Sequence, residues 1–440
     1  MPPPSNEPSS DVAAPSAVRR TPVDTDIAII GAGAAGIGAA LTARATGLRF
    51  ELIEARERTG GRTWTTTTPA GQVFDQGASW VHSVDRGNPF GELALALDAS
   101  PSIDRRRRVL LDERGTRLDA ASIAAFHAAR EQAERRIEMA LPGSSLADCL
   151  PVPPSPDAGP WAWNDRVFAG PWLCGTDCRD TDAADWAASC QGEDWLLPNG
   201  YGTLVQQLAA EVPATTSCCL EALEIGADGV EVVTSGGRFR AAHVVLTVPL
   251  GVLQAERIRF TPALPAAHLQ ALDQLAMSRL MKIGLDLLED PFGETEGYFL
   301  HYPAADETAV LYLMQPCGKP MAYAFVGGSA ARKLEQATDS EVRDAVLAPL
   351  RRLLGQTVIE QTFGQAVVTR WADDPFAFGS YSIAKPGGAA ARAVLAEPIL
   401  GRVFLAGEAT ALDGWYGTAG GAWRAGRAAI AAIDRERRLA

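Results

Sequence analysis

The segment between Asp26 and Arg62 constrains the fold of this chain more than any other part of it. It contains an apolar strand, a glycine-rich turn, a helix, a second strand, an acidic residue and then a second glycine pair. The apolar run Asp26–Ile30 is typical of a strand that is buried on both faces. Gly47 is positioned to end the helix as its C-cap. The segment therefore predicts a βαβ unit.

Three glycines in the first turn occupy the positions that a dinucleotide site requires. Gly31 allows the tight turn, Gly33 lets a pyrophosphate approach the backbone, and Gly36 lets the helix pack closely on the strand. The free N–H groups at the start of the helix then face the phosphates. Such a turn alone is a weak signal, because glycine-rich turns also occur without a ligand.

Glu54 supplies the second half of the signal. It follows the predicted strand Arg49–Ile53 and lies 18 residues after Gly36, close to the ~20 expected for a carboxylate that binds a ribose. Because the strands, helix and acid stand in the required order and spacing, the segment predicts a dinucleotide site. Its predicted contact residues are Gly31, Gly33, Ala35, Gly36, Glu54, Ala55 and Arg56.

Length and composition narrow the class of protein. A chain of 440 residues is too long for one ordinary core, so two domains are expected. The net charge of −13 argues against nucleic acid as a partner, and the acidic surface either aids solubility or attracts a cationic small substrate. No apolar run reaches the ~20 residues that span a bilayer, so no membrane segment is expected. The oligomeric state stays open.

The seven cysteines do not form a metal-binding pattern. Cys174 and Cys178 are four apart and Cys218 and Cys219 are adjacent, and neither arrangement is the C-x-x-C pair typical of zinc sites. No metal site is predicted, and the cysteines, with Cys190 among them, are expected to be free thiols in a reducing cytoplasm. Residues 1–23 are rich in Pro, Ser and Ala and are predicted to form a disordered tail without an export signal.

The rest of the chain alternates between helical and strand-like patterns. The patterns predict helices at 119–141, after the turn at 198–202, at 339–354 and at 420–437, a loop at 142–171, a β-meander at 217–250 and a buried strand at 402–408. A nucleotide-binding fold that starts near Asp24 and finishes with the last helix must be interrupted. We therefore predict a mixed α/β protein with a discontinuous nucleotide-binding domain at 24–84, 200–255 and 366–440, and an inserted substrate domain of mixed sheet and helices at 85–199 and 256–365.

Six sequence blocks, taken together, resemble the flavin-containing amine oxidase family, which includes monoamine oxidases, polyamine oxidases and flavin-type histone lysine demethylases. The blocks are GAGAAG with Glu54, GGR, DQGASWVH with GNP, HVVLTVPLGVL with FTPALP, RWADDPFAFGSYS, and FLAGEATALDGWYGTAGGAWRAGRAA. They stand in family order and cover nearly the whole chain from about Asp24 onward. The resemblance implies that the discontinuous domain is a Rossmann-like FAD-binding domain of the glutathione-reductase type.

The resemblance implies further contacts to FAD. Gly61 and Arg62 bring the backbone and a fixed positive charge to the phosphates. Glu408 lies near the phosphates and the ribityl chain, caps a helix start, or does both. Leu220 packs against the adenine or is an ordinary core residue. A covalently bound flavin needs a cysteine where Ser380 stands, so non-covalent FAD is predicted. The remaining predicted contacts are Gly77, Ala78, Ser79, Trp80, Gly407, Gly417, Thr418 and Ala419.

The resemblance also implies a catalytic set around the flavin. Lys282 matches the lysine that holds a water against flavin N5, and its apolar neighbours predict a lowered pKa. Tyr381 matches one wall of an aromatic slot that orients the amine. The opposite wall carries a tyrosine in monoamine oxidases and is Thr418 here, with Trp415 and Tyr416 close by.

Two further residues are predicted in or near the substrate pocket. His82 matches a pocket histidine of polyamine oxidases, and Trp371 lies in the RWADDPFAFGSYS block. Glu193 and Asp194 could bind a distal ammonium of the substrate, although a solvated acidic loop also fits their position before a turn.

These assignments imply oxidation of a C–N bond in a small amine or polyamine. The imine is hydrolysed to an aldehyde and an amine, and O2 is the expected acceptor, which gives H2O2. Alternatives are an L-amino acid oxidase, an amine dehydrogenase with another acceptor, a desaturase and a non-catalytic flavoprotein. An amino acid substrate is less favoured because no arginine occurs between Gly77 and His82. A histone-type demethylase is less favoured because it needs an acidic peptide groove and partner domains.

Overall fold

The computed structural model describes residues 25–153, 155, 159 and 161–439, so the predicted tail at 1–23 lies outside the described part. Two large sheets, one of seven strands and one of six, organise these residues. The cavity described below lies where the strand ends of the first sheet meet one face of the second.

The seven-stranded sheet carries the N-terminal βαβ unit. Its order is Arg259–Thr261, Leu220–Gly226, Gly229–Thr234, Gly237–Leu246, Thr25–Ile30 and Phe50–Ile53, and Val403–Leu405 also pairs with Gly237–Leu246. The strands Thr25–Ile30, Phe50–Ile53 and Val403–Leu405 are parallel to the second half of Gly237–Leu246. Their carboxyl ends therefore meet at one edge of the sheet, which is where ligands bind in folds of this kind.

Two helices cover this sheet. Helix Ala34–Thr46 follows the first strand and ends at Gly47, which adopts the left-handed conformation, as predicted. It packs with the final helix Ala419–Leu439, whose Ile430 and Ile433 share a buried cluster with the first strand. These bounds confirm the prediction of a Rossmann-like unit that the two ends of the chain complete.

The six-stranded sheet presents different side chains on its two faces. Its order is Phe363–Val368, Leu280–Leu287, Met321–Gly327, Leu311–Met314, Tyr298–His301 and Arg108–Leu110. Along Leu280–Leu287, the odd-numbered Met281, Ile283 and Leu285 pack in one buried cluster with helix Asp339–Leu354. Because successive strand side chains point to opposite faces, Lys282 projects from the other face, toward the aromatic cluster around Phe74 and Tyr323.

Most predicted elements are found, and one is wrong. The meander and the helix at 339–354 lie where they were predicted, and the helix begins with a capping box between Thr338 and Glu341. The predicted loop at 142–171 instead contains helices Leu146–Cys149 and Ala162–Val167 and the π-helical turn Phe168–Trp172. A second capping box starts the first of these helices, where proline and glycine made the segment resemble a loop.

The remaining elements range from two-residue strands to the 19-residue helix Ala120–Glu138. The additional α-helices are Pro89–Ala96, Ala120–Glu138, Ala183–Ala188, Tyr201–Ala209, Leu250–Gln254, Ala266–Gln274, Gly328–Leu334, Gln356–Thr362 and Ala391–Leu395. Small strand pairs are formed by Thr65–Thr67 with Val73–Asp75, by Leu275–Met277 with Ser382–Ala384, and by Trp80–Val81 and Ser102–Ile103 with Trp195–Leu196. None of the helices in the described ranges is both long and apolar enough to cross a membrane.

The predicted domain limits remain a prediction. Strand Arg259–Thr261 belongs to the first sheet although it falls outside the predicted nucleotide-binding segments, and Phe363–Val368 of the second sheet spans the predicted limit at 365/366.

Candidate active site

One cavity of about 750 Å³ reaches from the first glycine turn to the aromatic face of the second sheet. We distinguish three parts by the residues that line them. The nucleotide end is lined by Gly31, Gly33, Glu54, Arg56 and Leu220. The central slot is lined by Gly77, Lys282, Trp371, Tyr381, Glu408, Tyr416 and Thr418. The outer chamber is lined by Trp80, His82, Arg106, Arg108, Trp172, Asp194, Phe299 and Phe325. Every predicted site residue except Gly36 lines this cavity.

Gly36 acts behind the turn and does not line the cavity. A Cβ atom at this position would lie 1.7 Å from the carbonyl oxygen of Gly31, so only glycine allows the helix to start this close to the strand. This is the packing role predicted for the third glycine, while a direct contact of Gly36 with a dinucleotide stays a prediction.

At the nucleotide end, Glu54 is buried and fixed by backbone groups. One carboxylate oxygen accepts the N–H of Ala32 at 2.7 Å and the other accepts the N–H of Arg56 at 2.9 Å. Each oxygen keeps a second lone pair, so the carboxylate retains capacity to accept ribose hydroxyls. The guanidinium of Arg56 instead pairs with Asp374 at 2.7 Å, so the backbone of Arg56, more than its charge, shapes this end.

The second glycine turn lies directly on the first. The N–H of Gly60 donates to the carbonyl of Ala32 at 2.8 Å, and Gly33 and Gly60 form a parallel bridge. Helix Ala34–Thr46 starts at the same place, and its first N–H groups have no partner within the helix. Close backbones and free N–H groups fit a pyrophosphate, so the residues present fit a dinucleotide.

Glu408 joins the last segment of the chain to the second glycine turn. Its buried carboxylate accepts hydrogen bonds from Arg62 at 3.0 Å, from the Ser382 hydroxyl at 2.6 Å and from the Gly417 N–H at 3.2 Å. Burial alone would raise the pKa of Glu408, but Arg62 and Ser382 lower it below its ordinary value. These partners lie outside the short turn Glu408–Thr410, at whose start the residue stands, so its hydrogen bonds reach beyond this turn.

Lys282 is a buried cation in the central slot, with only 5% of its surface exposed. Its ammonium donates to the carbonyl of Asp75 at 2.8 Å, to the carbonyl of Gly77 at 2.5 Å and to the hydroxyl of Ser79 at 2.5 Å. Burial lowers the pKa of Lys282 to about 8, although the carboxylate of Asp75 opposes the fall. The predicted lowering of this pKa agrees with the structure.

The 76–78 segment beside Lys282 is held from several sides. A Cβ atom at Gly77 would lie 1.5 Å from the carbonyl oxygen of Arg62, so the close approach of these two segments requires glycine. The indole N–H of Trp371 donates to the carbonyl of Gln76 at 3.0 Å. Trp371 therefore both lines the slot and fixes the chain that receives the ammonium.

Tyr381 and Tyr416 bring two aromatic rings to the central slot. The hydroxyl of Tyr381 donates to the carbonyl of Leu173 at 2.7 Å, and that of Tyr416 donates to the carbonyl of Asp185. Of the two aromatic residues beside Thr418, Tyr416 lines the cavity and Trp415 does not.

Thr418 and Ser380 have structural hydrogen bonds. The Thr418 hydroxyl accepts the N–H of Gly421 at 2.9 Å and so caps the final helix. The Ser380 hydroxyl lies 2.8 Å from that of Ser278 and accepts the N–H of Leu280 at 2.9 Å. Non-covalent binding of the cofactor stays a prediction.

The outer chamber contains a charged cluster formed by His82, Asp194 and Arg106. Asp194 lies 3.2 Å from the Nδ1 of His82 and 2.7 Å from the guanidinium of Arg106. Burial alone would raise the pKa of Asp194, but the hydrogen bonds and charges of His82 and Arg106 lower it. Asp194 is therefore a buried, paired carboxylate, and its interpretation as part of a solvated loop is wrong. The neighbouring Glu193 accepts the indole N–H of Trp195.

Aromatic side chains form the walls of the outer chamber. Trp80 stacks against His82 with ring centroids 6.2 Å apart, and Trp172 packs edge-on against Phe299 at 5.3 Å. Sequence reasoning missed Phe299 and Phe325, although the alternation along strands 298–301 and 321–327 carried the signal. It also missed Trp172, which ends the π-helical turn Phe168–Trp172. It also missed Arg106 and Arg108, since the run at 105–108 resembles an exposed basic loop.

All seven cysteines are free. Cys174 and Cys190 line the cavity, whereas Cys178 does not. Burial raises the pKa of Cys174 to about 12 and that of Cys178 further, so both thiols stay protonated and unreactive.

Comparison with known proteins agrees with this geometry. A model of the family described as flavin containing amine oxidoreductase matches residues 161–433, and a model described as NAD(P)-binding Rossmann-like domain matches residues 29–96. These matches confirm the predicted resemblance and the flavin cofactor.

Two relatives and one solved structure illustrate the range of proteins to which this chain is similar. Lysine-specific histone demethylase 1 homolog 1 from Oryza sativa subsp. japonica is 28% identical over 87% of this chain and 49% of its own length. Polyamine oxidase 4 from the same organism is 26% identical over 96% of this chain and 91% of its own length. Wild-type putrescine oxidase bound to putrescine superposes with a TM-score of 0.73 at 21% identity, covering 93% of this chain and 99% of its own. The chain thus spans about half the length of the demethylases it matches.

Proposed function

We propose that this chain, which belongs to the flavin containing amine oxidoreductase family, holds FAD non-covalently and oxidises the C–N bond of a small amine, with O2 as the acceptor. The observation that carries the proposal is the single cavity that joins a dinucleotide turn, a buried lysine and an aromatic slot. The overall reaction converts an amine, water and O2 into a carbonyl compound, a smaller amine or ammonia, and H2O2, which balances two electrons and two protons.

FAD supplies the two-electron acceptor when it is bound. Its phosphates would be held by the glycine turns around Gly33 and Gly61, its ribose by Glu54, and its ribityl chain near Glu408. Lys282 would supply a positive charge at the reacting end, and its three hydrogen bonds fix that charge in place.

The aromatic side chains orient the substrate. The rings of Tyr381 and Tyr416 present π faces and edges that attract an amine and exclude water from the reacting carbon. No side chain is required to remove a proton from carbon when the amine is bound in its neutral form.

The charges of the outer chamber favour an amine with an apolar or aromatic body over a polyamine. Arg106 compensates Asp194, and Arg392 compensates Asp185 at 3.0 Å, so two of the lining carboxylates are already paired. Glu134 lines the cavity without an ion pair among the described residues and is the site that a distal ammonium would use.

A second candidate is an oxidase of amines that carry a carboxylate. Arg108 lines the cavity, and in the described part of the chain its guanidinium has no carboxylate within ion-pair distance. The 77–82 segment contains no arginine, but Arg108 on strand Arg108–Leu110 places a guanidinium in the cavity. This guanidinium could bind a substrate carboxylate, which restores the L-amino acid oxidase alternative.

An amine panel with peroxide readout tests these proposals. Peroxide release from benzylamine supports the monoamine oxidase, from putrescine or spermidine the polyamine oxidase, from L-phenylalanine the second candidate, and from an Nε-methyl-lysine peptide a demethylase. Flavin reduction without peroxide release would indicate an acceptor other than O2. Flavin that stays with acid-precipitated protein would contradict non-covalent binding.

A further inference from the structure

Asp75 is a buried carboxylate for which the proposed reaction has no direct use. It ends the strand Val73–Asp75 and is only 4% exposed. Its two oxygens accept the Thr65 hydroxyl at 2.5 Å and the N–H groups of Tyr201 and Gly202 at 3.1 and 3.3 Å. The N–H groups belong to the first turn of helix Tyr201–Ala209, so the carboxylate is bound at the positive end of that helix.

The chain that follows Asp75 curves around the ammonium of Lys282. The carbonyl of Asp75, the carbonyl of Gly77 and the hydroxyl of Ser79 accept its three N–H groups. The ring of Tyr323 lies 5.4 Å from the same ammonium and offers its π face. All three hydrogen-bond acceptors are neutral, so the charge of Lys282 has to be balanced by a group outside this set.

Asp75 is the group that balances this charge. Among the described residues no carboxylate lies within ion-pair distance of Lys282, and Asp75 is the charged side chain that favours the protonated lysine. Burial raises the pKa of Asp75 above its ordinary value, and its three donors and the charge of Lys282 oppose that rise. The other titratable groups near this pair are Tyr201, Tyr323, Cys317 and Lys319. Burial raises the pKa values of Tyr201 and Tyr323 well above the ordinary range and that of Cys317 to about 11, so these three stay neutral. Burial lowers the pKa of Lys319, and the charge of Asp75 opposes this fall, so the Lys319 signal serves as a second reporter of Asp75.

We propose that Asp75 is a positioning residue for Lys282. Its carboxylate, anchored to Thr65 and to the start of helix Tyr201–Ala209, fixes the segment 75–79 and supplies the negative charge that keeps the Lys282 ammonium protonated at the reacting end of the cavity. The proposal rests on the proposed function, because a fixed ammonium matters for catalysis only where a flavin lies before it.

The test is the titration of Lys282 itself. The chain has only four lysines, Lys282, Lys319, Lys333 and Lys385, so protein labelled with 15N-lysine gives few side-chain NMR signals, and Lys282→Arg assigns the one of interest. In Asp75→Asn the midpoint of the Lys282 titration is expected to fall by about 1 pH unit, the lower end of the effect of one nearby opposite charge. An unchanged midpoint in a folded Asp75→Asn protein would overturn the proposal.

Asp286→Asn is the matched control. Asp286 is equally buried at 4% exposure, accepts the Thr68 hydroxyl and the Ala70 N–H, and lies on the same strand as Lys282. Four residues along a strand separate the two Cα atoms by about 13 Å. This variant removes a buried carboxylate from the neighbouring hairpin, and the Lys282 midpoint should stay within error of the original.

A second variant covers the case in which Asp75→Asn does not fold. Thr65→Val keeps the size of the side chain but removes the hydroxyl that anchors Asp75, and it does not touch Lys282. It should lower the same midpoint by a smaller amount, and no change in this variant would contradict the anchoring role.

The positioning role of Asp75 and the proposed function are refuted by different results. Lys282 that titrates as expected in a protein whose flavin no amine reduces would leave the positioning role intact and refute the proposed function. Amine oxidation by a protein whose Lys282 midpoint does not change in Asp75→Asn would refute the positioning role and leave the proposed function intact.

Discussion

The guanidinium of Arg62 donates to the carboxylate of Glu408 at 3.0 Å across 346 residues of chain. The pair ties the second glycine turn to the strand end near the C-terminal helix, and both residues line the cavity. The site thus exists only when the first and last segments of the chain are folded together.

Glu408→Gln should lower both stability and FAD retention. Removing the charge leaves the partly buried Arg62 uncompensated, which costs about 2 kcal/mol at pH 7. Because the folded-state pKa of Glu408 is lowered, the carboxylate stabilises the protein above its unfolded pKa of about 4.3 and loses that contribution as pH falls through the folded value. Denaturant titrations between pH 7 and pH 3.5 should show the gap between the two proteins narrowing at low pH.

The exposed Glu397 provides the control for this prediction. Glu397→Gln should change neither the free energy of unfolding nor the flavin content. A gap for Glu408→Gln that stays constant over the whole pH range would contradict the account of its pKa.

Lys282→Met should leave FAD bound but slow reoxidation of the reduced flavin by O2, by about 100-fold if the ammonium acts like other single electrostatic groups in active sites. In the unmodified protein the rate constant should fall as pH rises through about 8, where Lys282 loses its proton. Stopped-flow reoxidation in air-saturated buffer from pH 6 to pH 10 measures both effects. Lys385→Met, which removes an exposed lysine, should keep the original profile.

Tyr381→Ala should impair amine oxidation more than it impairs FAD retention. The ring forms a wall of the central slot, whereas the hydroxyl only bonds to the carbonyl of Leu173. Tyr381→Phe keeps the ring and should retain most of kcat/KM, while the alanine variant should lose about 10-fold or more, equivalent to roughly 1.4 kcal/mol. Equal losses in the two variants would assign the effect to the hydroxyl instead.

Arg106→Met should shift specificity toward diamines. The substitution removes the cation that compensates Asp194 and leaves a buried carboxylate beside His82 in the outer chamber. The ratio of kcat/KM for putrescine to that for benzylamine should rise by about 10-fold, the effect of about 1.4 kcal/mol. A ratio that falls or stays constant would show that Asp194 is out of reach of the bound amine.

The residues of the nucleotide end could be predicted from sequence because the chemistry is local. Gly31, Gly33 and Glu54 lie within one βαβ unit, where spacing alone fixes their relation. The alternation along Leu280–Leu287 likewise separates Lys282 from its core neighbours. Local patterns of this kind can be recognised in the sequence, because each depends on a single element or βαβ unit.

The outer chamber could not be predicted in the same way. In the sequence, Asp194 has the neighbours expected of a polar loop. In the structure it is buried and paired with Arg106 and His82, which lie 88 and 112 residues away in the chain. Long-range pairs of this kind leave no spacing signal in a single sequence. The helices inside 142–171 were missed because their caps lie among prolines and glycines that favour loops.

The most direct test of the account is anaerobic mixing of the purified, flavin-loaded protein with the amine panel. The account predicts a yellow protein whose flavin absorbance near 450 nm bleaches with at least one amine and returns on admission of O2. A folded protein that binds no FAD, or whose FAD no amine reduces, would contradict it.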